Sequence, residues 1–477
     1  MLKSSWLRSF ASCLPLLASS GCVMGPNYQR PAIVHPDHFR SAISATEASS
    51  FADLPWWDVF QDPALRDLVS QGLTQNYDLQ IAISRIEQAR ALVGVVHSQA
   101  LPQLGYQVGA GGEKTVTPGT NSIDSVRFGS VVGALDAAWE LDLWGRIRRQ
   151  TESAQANLYA NEEVRRGVML TLVSDIATGY FHLLQLDRQL AIANEGQSVF
   201  QKTHELFDLR HQAGKDSQLP VERAKAAWDA SRAQIADLNR QIAQQENAIS
   251  ILTGGYPRSI RRGTALTGQP LPVTPVGLTT DLLLRRPDIR QAEQVMVGAN
   301  AEIGAAIANF YPKIGLGLLL GFIGVGAEHD IDGGFSFWRG GANLIGPIFT
   351  GGRLQAQYRQ RQAFWNEAVA SYRKTVLGAF RETSDALVAQ QTLAARRAAL
   401  ETKVLALRKS VELADLRYRA GRASYFEVLE AQQELFPAED ELAEVQEAQL
   451  VAVVSLYKAL GGGWKLSDNQ WLRTAAK

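Results

Sequence analysis

The chain has 477 residues, 46% hydrophobic and 20% charged, a composition that supports a folded core. Lys and Arg number 48, and so do Asp and Glu, so there is no basic surplus of the kind a nucleic-acid binder carries. Without residues 1–21, which hold Lys3 and Arg8 and no acid, the balance is 46 against 48, close to neutral.

Residues 1–21 read as an export signal. Lys3 and Arg8 make its positive end, Leu14 to Ala18 the core of a short apolar stretch, and Ser19, Ser20 and Gly21 are small residues before Cys22. The stretch is too short for a spanning helix, which needs about 20 residues. The arrangement resembles a bacterial lipoprotein box, departing from it at Ser19 where Leu is usual, and makes Cys22 the expected lipid-anchored first residue. The other cysteine, Cys13, lies in the removable segment, which excludes disulfides, a thiol nucleophile and Cys-ligated zinc from the remainder. No later run of about 20 uncharged apolar residues occurs, so a bilayer would have to be crossed by strands.

After an N-terminal arm (22–61), the chain is written twice. The first copy, 62–255, opens with a helical segment over 62–99. Leu104, Tyr106, Val108 and Ala110 then alternate with Gly105, Gln107 and Gly109, the period of a strand with one apolar face. A polar turn from Thr117 to Asp124 leads to a partner strand over 127–143, and proline-free helix is expected from 146 to 209. A linker (256–280) precedes the second copy, 281–463. It repeats the order: helix over 281–309; Ile314, Leu316 and Leu318 alternating with Gly315, Gly317 and Leu319; a turn from Glu328 to Gly334; a strand over 335–349; and a helix from 353 to 417. Residues 464–477 form a tail.

The register of the repeat is exact. Gly145-Arg146 recurs as Gly352-Arg353, Leu209-Arg210 through Gly214 as Leu416-Arg417 through Gly421, and Gly254-Gly255 as Gly461-Gly462, each 207 residues on. Upstream, Asp78 matches Asp288 and Pro102 matches Pro312, both 210 residues on. In the second long helix Leu400, Val404, Leu407, Val411, Ala414 and Tyr418 form a heptad-like seam. Helices of this length, about 95 Å at 1.5 Å per residue, require neighbouring helices along their length. Pro437 stands inside the last expected helix, where it removes a hydrogen bond and bends the axis.

Two strands per copy make four per chain. Membrane barrels begin at about eight strands, and an open edge cannot face lipid, so strands in a membrane imply several chains in one barrel.

The segments Cys22-Val-Met-Gly-Pro-Asn-Tyr-Gln-Arg-Pro31, Trp56-Trp57, Trp139-Glu-Leu-Asp-Leu-Trp-Gly-Arg146 and Leu456-Tyr-Lys-Ala-Leu-Gly-Gly-Gly-Trp464 resemble the OprM/NodT lipoprotein branch of the TolC-like outer-membrane efflux proteins. The resemblance covers essentially the whole chain after the signal. It implies a mixed α and β membrane protein: a trimeric 12-stranded transmembrane β-barrel continued by a 12-helix periplasmic α-barrel. It also implies a homotrimer working with a periplasmic adaptor protein and an inner-membrane pump, usually of the resistance-nodulation-division (RND) class, as a passive gated conduit. Val23 after Cys22 fits sorting to the outer membrane, the anchor lying in outer-membrane lipid. A coiled-coil structural or adaptor protein of the periplasm is the competing reading, and the Gly-rich alternating strands argue against it.

The resemblance places a periplasmic gate just after the repeated glycines. Carried onto this chain, its acidic positions are Glu427 and Glu430, three residues apart on one helical face, where the family usually has Asp. Rings of such carboxylates around an axis attract cations; the competing reading is a solvated helix face. Tyr418 and Arg419 match positions that tether the closed tip. Arg223 is the first-copy equivalent of Glu430, which makes a pairing between the two a natural expectation.

Enzyme motifs do not survive inspection. Gly112-Glu113-Lys114-Thr115 resembles the end of a phosphate loop but carries Glu where Gly is needed, and His204-Glu205 lacks the second His of a zinc protease. His35, His38, His97 and His182 are scattered, and no cofactor or metal is expected.

Overall fold

The computed structural model describes residues 23–32, 54–118, 123–272, 285–327 and 333–463. Cys22, the expected anchor, lies outside them, as do the signal, most of the arm and the tail. The elements are α1 (Trp56–Val59), α2 (Pro63–Gln75), α3 (Tyr77–Ser98), β1 (Gln103–Pro118), β2 (Ile123–Leu141), α4 (Arg146–Gln212), α5 (Gln218–Leu252), α6 (Pro287–Ala308), β3 (Lys313–Ala327), β4 (Gly333–Ile345), α7 (Arg353–Arg419) and α8 (Tyr425–Ala459). The duplication is explicit in their lengths. Helices α3 and α6 have 22 residues each, α4 and α7 have 67, and α5 and α8 have 35.

The repeated glycines end helices by one mechanism. At Gly214 (φ 69°) the Gly214 amide donates to the His211 carbonyl (2.8 Å) and the Lys215 amide to the Arg210 carbonyl (2.9 Å). At Gly421 (φ 67°) the same bonds run from Gly421 to Tyr418 and from Arg422 to Arg417, both 2.9 Å. This is the Schellman arrangement, which needs a left-handed residue that only glycine adopts without strain.

Several expected boundaries are corrected. The segment over 62–99 is two helices, because Asn76 is extended and nearly buried. Its Oδ1 accepts the Leu79 amide (3.1 Å) and its Nδ2 donates to the Leu252 carbonyl (3.0 Å). The turn from Thr117 to Asp124 is tighter, since β1 and β2 remain paired to Pro118↔Ile123. Strand β4 stops at Ile345, just before Gly346 and Pro347, whose ring nitrogen cannot donate to a ladder. Helix α8 passes through Pro437 without a break, with neighbouring Phe436 edge-on to Phe200 at 5.7 Å. Helix α4 also contains one 18-residue window apolar enough for a bilayer by composition; 61% of that window is buried, as in a core helix.

The contacts divide the chain into two compact units. The first (1–32, 85–162 and 291–373) holds one antiparallel sheet, order β1-β2-β3-β4. Its register sets Tyr106, Leu135, Leu320 and Trp338 in one row on one face, all exposed. Among the described residues, edge strands β1 and β4 have no outer neighbour. Residues 23–32 are pinned beside the sheet's base. The Met24 amide donates to the Trp144 carbonyl (3.1 Å), Arg149 Nε to the Met24 carbonyl (3.1 Å), and Arg30 grips Glu293 through two bonds of 2.6 Å.

The second unit (33–84, 163–290 and 374–477) holds the main core, in which Trp56, Ile176, Tyr180, Ile249 and Tyr457 are fully buried. The heptad seam of α7 is confirmed at Leu400, Val404 and Ala414, all buried. Asp440, on α8, accepts from Gln234 Nε2 (3.2 Å), while its Oδ1 is buried without a hydrogen-bond partner. Burial pushes its carboxyl up to about 6; Glu444 and Glu439 add to the rise, and Arg188 and the Gln234 bond oppose it. A folded pKa raised above the unfolded value means that ionised Asp440 costs stability above about pH 6, and that the cost disappears as pH falls below the unfolded value near 4. Asp440→Asn should therefore raise the thermal midpoint at pH 7.5 and leave it unchanged near pH 4; an equal shift at both values would refute this origin.

Candidate functional site

The two turns α4–α5 and α7–α8 and their flanking helices enclose a cavity of about 310 Å³, lined in part by Phe207, Arg210, Asp216, Tyr418, Tyr425 and Phe426. Arg210 holds it together. Its Nε lies 2.6 Å from Asp216 Oδ2, and its Nη1 donates to the Tyr418 hydroxyl (3.0 Å). Tyr418 stands edge-on to Tyr425 at 4.9 Å, Tyr425 edge-on to Phe207 at 5.3 Å, and the Tyr425 and Thr203 hydroxyls are 2.8 Å apart. Burial pushes the Tyr425 phenol up, with the Thr203 bond opposing. The first-copy turn and the second-copy turn are thus locked by a cation, a phenol and three edge-on rings.

Each expected gate residue can now be placed. Tyr418 is part of this lock. Arg419 is paired with Asp415 (2.8 Å), one turn back on its own helix. Glu427 lies 3.5 Å from Arg417, both exposed enough for water to screen them. Glu430 is exposed, with no ion pair among the described residues. Arg223 does not pair with Glu430 within the chain; its guanidinium lies 5.1 Å over the Phe426 ring, an aromatic face that the sequence equivalence did not consider. Sequence reasoning missed Arg210, Asp216 and Tyr425. A signal for the first did exist, because Arg210 and Arg417 are equivalent and each finds an acid near its turn.

Comparison with known proteins decides the family. The outer membrane efflux protein model matches residues 68–255 and 278–462, one match per copy. The chain belongs to the outer membrane efflux protein family. A similar relative is the solvent efflux pump outer membrane protein SrpC of Pseudomonas putida, 36% identical over 95% of this chain and 98% of its own length. The cation efflux system protein CusC of Escherichia coli strain K12 is 32% identical, over 94% and 97%. Among solved structures, CusC superposes with a TM-score of 0.80 at 30% identity, covering 93% of this chain and all of its own. The open state of the Neisseria gonorrhoeae MtrE outer membrane channel gives 0.81 at 27% identity, covering 93% and 99%. This efflux protein is therefore an outer-membrane channel component with the TolC-like fold, four antiparallel strands per chain, and not a coiled-coil adaptor. Efflux proteins of this family are transport channels.

Proposed function

We propose that three copies of the chain form one gated passive conduit, working with a periplasmic adaptor and an inner-membrane pump of the RND class that supplies the energy. The single observation that carries the assembly is the four-stranded sheet with two open edges and an exposed apolar face, which a bilayer tolerates only when copies close it into a barrel. Three copies give twelve strands, within the range of known membrane barrels. Glu427 and Glu430 line the gate, and Tyr418, Arg419 and Arg223 hold its closed form. Cys22 carries the lipid. Val23 packs so closely on Gly145, four residues past the end of β2, that a Cβ there would lie 2.9 Å from the Val23 Cα.

Mass measurement tests both parts. In detergent, corrected for bound detergent, the assembly should weigh three chains; a stable folded monomer overturns it. The denatured chain should begin at Cys22 and carry a diacylglycerol, and an unmodified start elsewhere removes the anchor. Planar-bilayer recording should show discrete channels.

A further inference from the structure

The sheet register separates two faces of different chemistry. Leu104, Tyr106 and Val108 of β1 share a face with Leu135 and Trp139 of β2, the even residues Ile314 to Phe322 of β3, and Trp338 and Leu344 of β4. Among the side chains described on this face, Ser336 is the sole polar one, so this is the face that meets hydrocarbon. The opposite face carries Gln103, Gln107, Asp136, Arg339 and Asn343, and turns toward water.

Glu113, Glu140 and Lys313 also lie on that face, the last two 3.7 Å apart as an ion pair, and two further charges stand level with each other in its body. The register runs Asp136↔Leu319↔Arg339, which puts an acid on β2 and a base on β4 at one level, two strands or about 10 Å apart. Within the chain neither forms an ion pair among the described residues, and both are exposed. The Asp136 carboxylate leans over Gly105 on edge strand β1: a Cβ on that glycine would lie 2.6 Å from Oδ1. Arg339 is on the other edge strand. When copies close a barrel, β4 of one copy adjoins β1 of the next, so Arg339 is again two strands from Asp136 of the adjoining copy, and the lean shortens that gap.

We propose that Asp136 and Arg339 form a belt of alternating charge inside the barrel, which orients and selects dipolar and zwitterionic solutes leaving through it. The proposal rests on the trimeric channel reading, which makes six charges evenly spaced by two strands. Such a belt has no net charge, so it discriminates little between simple anions and cations. It does present a transverse field to a solute with separated charges.

The test uses a thiol at Leu319, between the two charges, with charged methanethiosulfonate reagents added from outside intact cells, so that a periplasmic gate is not in series. The protein without Leu319→Cys serves as the control for Cys22. In Leu319→Cys the cationic and anionic reagents should react at similar rates. Adding Asp136→Asn should lower the cationic-to-anionic rate ratio roughly fivefold, Arg339→Gln should raise it by about as much, and the double variant should return to parity. Ratios that do not move, or that move in one direction for both variants, overturn the belt. Reaction at Leu320→Cys in place of Leu319→Cys overturns the facing of the sheet. Each variant is also scored for trimer formation and conductance. An assembled, conducting parent with indifferent ratios refutes the belt alone, whereas a parent that neither assembles nor conducts refutes the channel reading beneath it. If one single variant fails to assemble, the other and the double still decide the sign.

Discussion

Glu427→Ala together with Glu430→Ala should lower the cation preference of the channel roughly fivefold and relieve block by multivalent cations added from the periplasmic side. The two carboxylates will not contribute equally. Glu427 faces Arg417 at 3.5 Å and is partly neutralised, whereas Glu430 is exposed with no ion pair among the described residues. Glu430→Ala alone should therefore account for most of the change. Tyr418→Phe should behave differently. It removes the acceptor for Arg210 Nη1 while keeping the ring against Tyr425, so the two turns loosen and conductance rises with selectivity largely intact. Reversal potentials and open-state conductance in planar bilayers separate the two effects. Unchanged selectivity and block in the double Ala variant would make these carboxylates a solvated helix face.

The largest expected loss of stability comes from Asp62. This carboxylate is 3% exposed and caps α2, accepting from the amides of Ala64 (2.8 Å) and Leu65 (3.2 Å). It also accepts from the Thr264 amide (2.8 Å), from Gln269 Nε2 (2.7 Å) and from the Tyr180 hydroxyl (3.2 Å), which itself accepts the Gly263 amide (2.8 Å). One side chain thus joins the start of α2 to the segment after α5 and to the buried face of α4. Asp62→Ala strands several buried donors at about 1–3 kcal/mol each, and the loss should reach about 4 kcal/mol. Tyr180→Phe removes one link and should cost about 1 kcal/mol. Thermal melts of the purified protein, or the yield of assembled protein where melting is irreversible, check both. A melting temperature for Asp62→Ala within a degree or two of the parent's would contradict this account.

How far the pattern of residues carries is visible at particular places. Equal offsets between Gly214 and Gly421, which end helices, and between Gly145 and Gly352, which precede them, foretold two copies, because a left-handed backbone favours glycine wherever it occurs. Alternation around Leu104 and Leu316 foretold the strands, since period two is local geometry. The apolar face was equally legible, being a property of the same alternation. By contrast, nothing near Asn76 announces that its amide reaches Leu252, 176 residues away, and so the helix break was invisible. Arg223 was matched to Glu430 by sequence equivalence, yet the packing of the two turns set it over Phe426.

What the sequence determined by itself, then, is what depends on neighbours a few residues apart: the duplication, the glycine turns, the strand faces and the heptad seam on α7. What only the tertiary structure decided is what depends on partners distant in the chain. These are the Arg210, Asp216 and Tyr418 lock, the Asp62 hub, and the level at which Asp136 and Arg339 meet across β3. The physical reason is the short range of hydrogen bonds and packing. They act over a few ångströms, and only folding brings residues hundreds of positions apart within that reach.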